Sequence, residues 1–162
     1  MGDVFAKAFA IVIGEEGGFT DDAADPGGAT KYGISHAAYP NLDIANLTLA
    51  DAQAIYQRDY WDRIGGDLLD PRLALIVFDA AVNNGISRAG MWLQQALGVP
   101  VDGVVGSQTI AAASSCDVPA ICAECLARRL HFMTGLATWP TFGMGWSRRL
   151  CGLPWKAQGM TP

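Results

Sequence analysis

The feature that most constrains the fold of this chain is an apolar run from Leu73 to Val82, interrupted only by Asp79. Pro71 suits the first turn of a helix and Gly85 suits the position after its end, so a helix is predicted from Pro71 to about Asn83. The run is too short to cross a bilayer, and a helix that is apolar on all sides is buried within a protein.

Asp79 and Asn83 form a polar stripe on this helix because they are four residues apart. A carboxylate among apolar residues is costly unless it is hydrogen-bonded or faces a cleft. Two interpretations follow: a buried polar network that holds a neighbouring loop, which we favour, and direct contact between these side chains and a substrate.

The rest of the chain reads mostly as helices, so the predicted fold class is all-α with a small irregular or β-hairpin loop. No internal repeat is visible. The other segments with helical spacing or capping residues are Val4 to Glu15 with Asp3 as N-cap and Gly17 as terminator, Ala52 to about Trp61 after a capping box of Thr48 and Asp51, Ser87 to Leu97, Thr109 to Ala113 capped by Ser107, Asp117 to about Leu136, and a short helix from about Gly145 to Leu150.

A Gly- and Asp-rich loop from Phe19 to Ser35 follows the first helix, and carboxyl groups stand on both sides of its start. Glu16 lies where the apolar helical pattern stops, and the negative end of a helix dipole together with desolvation would raise its pKa. A carboxyl that stays protonated can act as a general acid, while Asp25 and the hydroxyl of Thr30 would position water. The ordered set Glu16, Asp25 and Thr30 therefore indicates glycoside hydrolysis.

Aromatic side chains near this loop are candidates for sugar binding, because the C–H faces of sugars suit aromatic surfaces. Tyr60 and Trp61 would stack on a sugar ring or, equally, belong to the core. With Tyr32 of the loop and the pair Asp79 and Asn83, they make up the predicted substrate-binding residues.

Composition excludes several functions. Eleven basic and sixteen acidic residues among 162 give a net charge of −5, which argues against nucleic-acid binding and gives no attraction to anionic membranes or walls. No transmembrane helix and no signal peptide are visible. Hydrophobic residues reach 51%, so disorder is expected only in the tail from about Gly152 to Pro162.

The four cysteines, Cys116, Cys122, Cys125 and Cys151, all fall in the second half of the chain. Cys122 and Cys125 have the spacing of half a metal site, but no second pair matches it and the only histidines are His36 and His131. We expect cysteines packed against helices, no metal and no organic cofactor; the disulfide state stays open.

Together these motifs resemble the glycoside hydrolase family 108 muramidases, which occur as phage endolysins and as secretion-associated lysozyme-like proteins. The resemblance covers roughly residues 8 to 150 and is most specific at the N-terminal motif. The matching segments are Glu16-Gly17-Gly18-Phe19, Asp25-Pro26-Gly27-Gly28-Ala29-Thr30 with Gly33-Ile34, Tyr60-Trp61-Asp62, Phe78-Asp79-Ala80-Ala81-Val82-Asn83, Trp92-Leu93-Gln94, Asp102-Gly103-x-x-Gly106-x-x-Thr109 and Thr138-Trp139-Pro140-Thr141-Phe142.

The resemblance implies a lysozyme-like fold in which Glu16 is the catalytic acid, and Asp25 and Thr30 hold the attacking water with inversion. It also implies a catalytic region over residues 1–85 and a helical peptidoglycan-binding-like region over 86–162, packed as one unit. The chain departs from the family in one respect, since Glu15 stands where members often have His before the catalytic glutamate.

The expected reaction is hydrolysis of the β-1,4 bond between N-acetylmuramic acid and N-acetylglucosamine, with peptidoglycan glycan strands as partner. A non-catalytic wall-binding module and a peptidoglycan peptidase remain alternatives, the latter with a cysteine beside His36 or His131. We expect a monomer without stable membrane insertion, made in the cytoplasm and released to the periplasm or wall by a holin or another export system. Host lysis and a role in secretion stay open.

Overall fold

The computed structural model describes residues 2–14 and 29–160, and these form seven α-helices and one small two-stranded antiparallel sheet. The predicted all-α fold class is therefore confirmed. In chain order, the elements are α1 (Asp3–Ile13), β1 (Thr30–Lys31), β2 (Ile34–Ser35), α2 (Leu49–Tyr56), α3 (Pro71–Asn84), α4 (Ile86–Leu97), α5 (Ser107–Ala113), α6 (Val118–Thr134) and α7 (Trp139–Gln158).

Helix α3 is the centre of the fold. Every residue from Leu73 to Ala81 is buried, and the helix contacts α1, α4, α6 and α7. Asp70 caps its first turn by accepting a hydrogen bond from the backbone N–H of Arg72, as its sequence position before Pro71 favours. The apolar run thus determines the architecture, because its burial on all sides requires other helices to surround it.

An aromatic cluster joins the N-terminal helix to α3. The ring of Phe78 lies 6.0 Å from that of Phe5 and 5.4 Å from that of Trp61, both edge-on. Tyr56 adds a further edge contact to Phe9 at 5.4 Å. These pairs supply stabilisation beyond area burial alone and fix the start of the chain against the central helix.

The sequence capping signals of α2 are confirmed, and its end is less regular than predicted. Thr48 and Asp51 form a complete capping box. The helix then widens into a π-helical turn over Gln57–Trp61 and tightens into a 3₁₀ turn over Asp62–Ile64, which ends at the left-handed Gly65.

The sheet is a hairpin with a two-residue turn. Thr30 pairs with Ser35 and Lys31 with Ile34, while Tyr32 and Gly33 occupy positive φ values of 52° and 74°. Positive φ at both turn residues is the geometry that matches the twist of a hairpin, and it suits Gly33 at no cost.

Two helix boundaries differ from the sequence prediction. Helix α1 ends at Ile13, with Gly14 at its end in a positive-φ conformation, instead of continuing to Glu15. Helix α7 begins at Trp139 and runs to Gln158, because Pro140 lies in its first turn, where a missing N–H is harmless. The expectation of a disordered tail is wrong up to residue 160, since Leu153, Ala157 and Met160 are buried.

A buried glutamine organises the loop between α4 and α5. The side-chain Nε2 of Gln94 donates to Asp102 Oδ1 at 2.7 Å and to the carbonyl of Val104 at 3.0 Å, and its Oε1 accepts from the backbone N–H of Asp102 and Gly103. Oγ1 of Thr109 lies 3.2 Å from Nε2 of Gln94 and so belongs to the same network. The predicted Asp-Gly-x-x-Gly-x-x-Thr motif is thus one hydrogen-bonded unit around Gln94. The division of the chain at residue 85 stays a prediction.

Candidate active site

The predicted catalytic carboxyls Glu16 and Asp25 lie outside the described residues. The structure instead defines what adjoins the segment that carries them: the end of α1 on one side and the hairpin with Thr30 on the other. Thr30 is half-buried in β1.

The end of α1 is held by an arginine from the last helix. Nη2 of Arg149 donates to the carbonyl oxygen of Val12 at 3.0 Å, and the N–H of Gly14 donates to the carbonyl of Ala10 at 3.1 Å. The last carbonyls of a helix have no partner within it, and a cation there is favourable. Arg149 therefore fixes the point from which the chain continues toward Glu16.

The same arginine belongs to a buried ion cluster. Asp79 is 0% exposed and accepts hydrogen bonds from Arg129, through Nη1, and from Arg149, whose Nε lies 2.9 Å from Asp79 Oδ1. Burial lowers the pKa of the Arg129 guanidinium, and the adjacent Asp79 carboxylate opposes that change. The cluster ties together α1, α3, α6 and α7.

This geometry decides between the two interpretations of Asp79. A carboxylate without exposed surface offers nothing to a substrate, so the predicted substrate contact by Asp79 is not what the structure supports, and the buried network is. The network holds the end of α1. Asn83 is exposed, and its Nδ2 donates to the backbone carbonyl of Asp79 at 2.8 Å, so it remains available to a ligand through its other atoms.

The two aromatic residues predicted to stack on a sugar, Trp61 and Tyr60, differ in their burial. Trp61 is 0% exposed, donates through Nε1 to Asp67 at 2.8 Å and packs so tightly against Gly66 that a Cβ there would lie 2.3 Å from the indole. In this structure it is a core residue, the second of the two roles predicted for it, and its fully buried ring offers no surface to a sugar. Tyr60 is half-buried.

A tyrosine pair links the hairpin to α2. The rings of Tyr56 and Tyr60 stack at 5.4 Å and 27°, and the hydroxyl of Tyr56 donates to the carbonyl of Tyr32 at 3.1 Å. A Cβ on Gly33 would lie 2.7 Å from the same hydroxyl. Burial raises the pKa of Tyr56 to about 12, so its hydroxyl stays a donor. The contacts bring the predicted residues Thr30, Tyr32 and Tyr60 into one region.

Arg129 and Arg149 were missed from the sequence. The signal for them was the buried aspartate, since a carboxylate in an apolar helix requires a cation or several donors. Eleven Lys and Arg residues were candidates, and the two that pair with Asp79 lie 50 and 70 residues away from it. Nothing local identifies them.

Two cavities lie between helices of the described structure, one of them beside the Asp79 cluster. One, of about 150 Å³, is lined by Asn83, Asn84, Arg129, Met133, Leu136, Trp146 and Arg149. The other, of about 290 Å³, is lined mainly by apolar side chains of α3, α6 and α7 with Arg72 and Cys122. Within residues 2–14 and 29–160, no group of three or more His, Cys, Asp or Glu side chains is placed to hold a metal ion. No helix in these ranges has the length and hydrophobicity to span a membrane.

Comparison with known proteins assigns both halves of the chain. Residues 9–85 match the family model described as "Glycosyl hydrolase 108", and residues 88–151 match the one described as "Predicted Peptidoglycan domain". The solved structure of SagA from Brucella abortus is 36% identical, with 96% of this chain and 94% of that chain covered and a TM-score of 0.85. No curated protein matches significantly.

Proposed function

Because the chain belongs to the glycosyl hydrolase 108 family and is a peptidoglycan hydrolase, we propose that it cleaves the β-1,4 bond between N-acetylmuramic acid and N-acetylglucosamine. The observation that carries the proposal is the match over residues 9–85, which includes Glu16, Asp25 and Thr30. In the proposed mechanism Glu16 protonates the glycosidic oxygen, and Asp25 and Thr30 orient the attacking water, with inversion.

The contact between Arg149 and Val12 supports the role of Glu16 by fixing the preceding helix end. The same contact places a positive charge at the end of α1. A cation at the helix end neutralises part of the dipole that would raise the pKa of a nearby carboxyl. A raised pKa of Glu16 would then depend on desolvation, as for other carboxylic acids that protonate leaving groups.

The decisive experiment is digestion of purified peptidoglycan by the wild-type protein, by Glu16→Gln and by the adjacent control Glu15→Gln. The wild type and the control should release glycans ending in reducing N-acetylmuramic acid, identified by mass spectrometry. Glu16→Gln should lose at least about 100-fold in rate, because general acid catalysis contributes about 10²–10⁴-fold. Equal activity of Glu16→Gln and wild type would assign the acid elsewhere, and reducing N-acetylglucosamine ends would refute the proposed bond.

The peptidase alternative has a specific obstacle at three of the four cysteines. A nucleophilic cysteine must ionise, yet burial raises the pKa of both Cys122 and Cys125 to about 12, and burial also raises that of Cys116. Both histidines are exposed on the surface. Release of amines without reducing ends would nevertheless favour a peptidase, and wall binding without cleavage by the wild type would favour a binding module.

We further propose that the protein acts in the periplasm or on the wall, after release by a holin or another export system, because its substrate lies outside the cytoplasmic membrane. Host lysis and wall remodelling for secretion are both compatible with this chemistry. Fractionation of cells that express the protein alone tests the export requirement, since unaided appearance in the periplasm would contradict it.

A further inference from the structure

The hydroxyl of Tyr56 lies against the turn of the hairpin. It donates a hydrogen bond to the carbonyl oxygen of Tyr32 at 3.1 Å, and a Cβ on Gly33 would lie 2.7 Å from the hydroxyl oxygen. Tyr32 and Gly33 are the two residues that connect β1 to β2. A single hydroxyl group therefore adjoins both residues of the turn.

The first residue of this turn has a strained backbone. Tyr32 has a φ of 52° and is the one non-glycine residue with a positive φ among residues 2–14 and 29–160. Turns of this type favour Asn or Asp at that position, and another residue persists there only where the surrounding structure holds it. A hairpin with two residues in each strand is also too short to be stable alone. The conformation of the turn therefore depends on contacts with the rest of the protein.

Tyr56 supplies such a contact from a fixed position in the core. Tyr56 is 3% exposed, and its ring lies edge-on to Phe9 at 5.4 Å and to Phe78 at 6.4 Å and stacks on Tyr60 at 5.4 Å. Burial raises the pKa of Tyr56 to about 12, so the hydroxyl keeps its proton near neutral pH. The donor that meets the turn is thus held in place by packing on both sides of its ring.

Hydrogen bonds also hold the hairpin at its strands. Nζ of Lys31 donates to the carbonyl of Ala45 at 3.0 Å, and the N–H of His36 donates to the carbonyl of Ala29 at 2.9 Å. The bond from Lys31 lies on the surface, where water competes for both groups. Neither of these two bonds involves a turn residue, so they do not replace the contact from Tyr56.

The turn determines how Thr30 is presented. Thr30 pairs with Ser35 and stands two residues before Tyr32. Successive side chains of a strand point to opposite faces, so a shift of one residue in the pairing would send the hydroxyl of Thr30 to the other face. A change in the turn therefore reaches Thr30 through the register of the hairpin.

We propose that Tyr56 is a positioning residue: its hydroxyl holds the turn at Tyr32 and Gly33 and thereby sets the direction in which Thr30 meets the attacking water. This role rests on the proposed function, in which Thr30 orients that water. Tyr56 contacts neither the water nor the glycan in this scheme and acts through the hairpin alone.

The test compares kcat and KM of the wild type, Tyr56→Phe, Thr30→Ala and the double variant on soluble, uncross-linked glycan strands of peptidoglycan, with released reducing ends as the product. Phenylalanine keeps the ring and its packing, so only the hydroxyl is lost. We expect Tyr56→Phe to lower kcat about tenfold, the effect of one hydrogen bond of ordinary strength, and to leave KM within about twofold. The two constants separate because orienting water acts in the transition state and not in glycan binding.

The double variant distinguishes positioning from a general effect on the fold. If Tyr56 acts through Thr30, the loss caused by Tyr56→Phe disappears in the Thr30→Ala background. A general effect on the fold would instead multiply with that of Thr30→Ala. Thermal unfolding of each variant gives the folded fraction by which kcat is corrected.

Tyr39→Phe is the matched control, because the hydroxyl of Tyr39 donates to Asp59 Oδ2 at 2.8 Å and that bond involves no turn residue. It should keep the kcat and KM of the wild type. Gly33→Ala replaces Tyr56→Phe if that variant does not fold, since its methyl group would lie 2.7 Å from the hydroxyl of Tyr56 and would displace it. The same loss of kcat is then expected, again absent in the Thr30→Ala background.

Three results would overturn the positioning role: an unchanged kcat in Tyr56→Phe, a loss that persists in full in the Thr30→Ala background, or an equal loss in Tyr39→Phe. A wild type that releases no reducing ends refutes the proposed function instead. A Thr30→Ala variant as active as the wild type removes the assignment of Thr30 and the positioning role with it. Cleavage by the wild type, impaired cleavage by Thr30→Ala and an unchanged Tyr56→Phe refute the positioning role alone.

Discussion

The network around Gln94 and the cluster around Asp79 both bury polar side chains between helices, yet only the first is balanced. Gln94 uses both amide hydrogens and both lone pairs of its carbonyl oxygen within a single loop. Among the described residues, the Asp79 cluster sets one carboxylate against two guanidiniums and leaves Nε of Arg129 without a partner.

The difference separates a polar network that shapes a loop from a charged cluster that joins helices and holds the end of α1. A neutral network in which every hydrogen-bonding group of the Gln94 amide has a partner stabilises the Asp102–Gly103 turn. A charged and incomplete cluster is costly to bury, and replacement by apolar residues is often neutral or stabilising. The variants described below separate a contribution of this cluster to stability from a contribution to activity at the end of α1.

The largest effect is expected when the charged cluster loses its anion. Asp79→Leu leaves Arg129 buried without a counter-charge, so we expect the free energy of unfolding to fall by about 3–5 kcal/mol. Chemical denaturation of the variant measures the change. The exposed residue Asp62, changed to Ala, is the control, with an expected change within about 0.5 kcal/mol.

A triple replacement sharpens this result. Asp79→Leu combined with Arg129→Met and Arg149→Met removes all three charges at once. Stability near wild type together with lost wall hydrolysis would show that the charges serve function, whereas a protein that stays strongly destabilised would make the cluster a structural requirement.

A smaller effect is expected in the neutral network. Gln94→Leu leaves the backbone N–H groups of Asp102 and Gly103 without their acceptor, and we expect a loss of about 2–3 kcal/mol, measured by the same denaturation. Gln95→Leu is the matched control, because Gln95 is adjacent and exposed. A loss in Gln94→Leu as large as that in Asp79→Leu would remove the distinction between the two networks.

The smallest effect is expected in the stability of the fold at acid pH. Hydrogen bonds from Gln94 and from the backbone of Val104 hold the pKa of Asp102 below its ordinary value of 3.8. A lowered pKa in the folded state means that the contribution is fully present well above pH 3.8 and is lost as the pH falls through the folded-state pKa. Asp102→Asn should therefore reduce the slope of stability against pH in this acid range, as followed by thermal unfolding. An unchanged slope would mean that other carboxyls dominate.

Local sequence signals predicted the elements that depend on local chemistry. The capping box of Thr48 and Asp51 and the helix between Pro71 and Gly85 required only neighbouring residues, and both are confirmed. The predicted length of α7 was wrong, because the helix continues through Pro154 to Gln158. Burial of Leu153 and Ala157 against the rest of the fold outweighs the cost of a proline within the helix.

The candidate site was predictable in part for the same reason. Burial of Asp79 indicated a network, but its partners come from two helices that only the complete fold brings together. Trp61 is buried at the end of a π-helical turn that apolar periodicity does not reveal. The catalytic assignment of Glu16, Asp25 and Thr30 stays a prediction.

The hydrogen bond between Val12 and Arg149 spans 137 residues, nearly the whole polypeptide. During synthesis the first helix leaves the ribosome long before its partner exists, so its end is not held until α7 has been translated. A contact of such high sequence separation forms late, after the intervening helices have packed. Chains interrupted before Arg149 therefore lack the hydrogen bond that holds the end of α1.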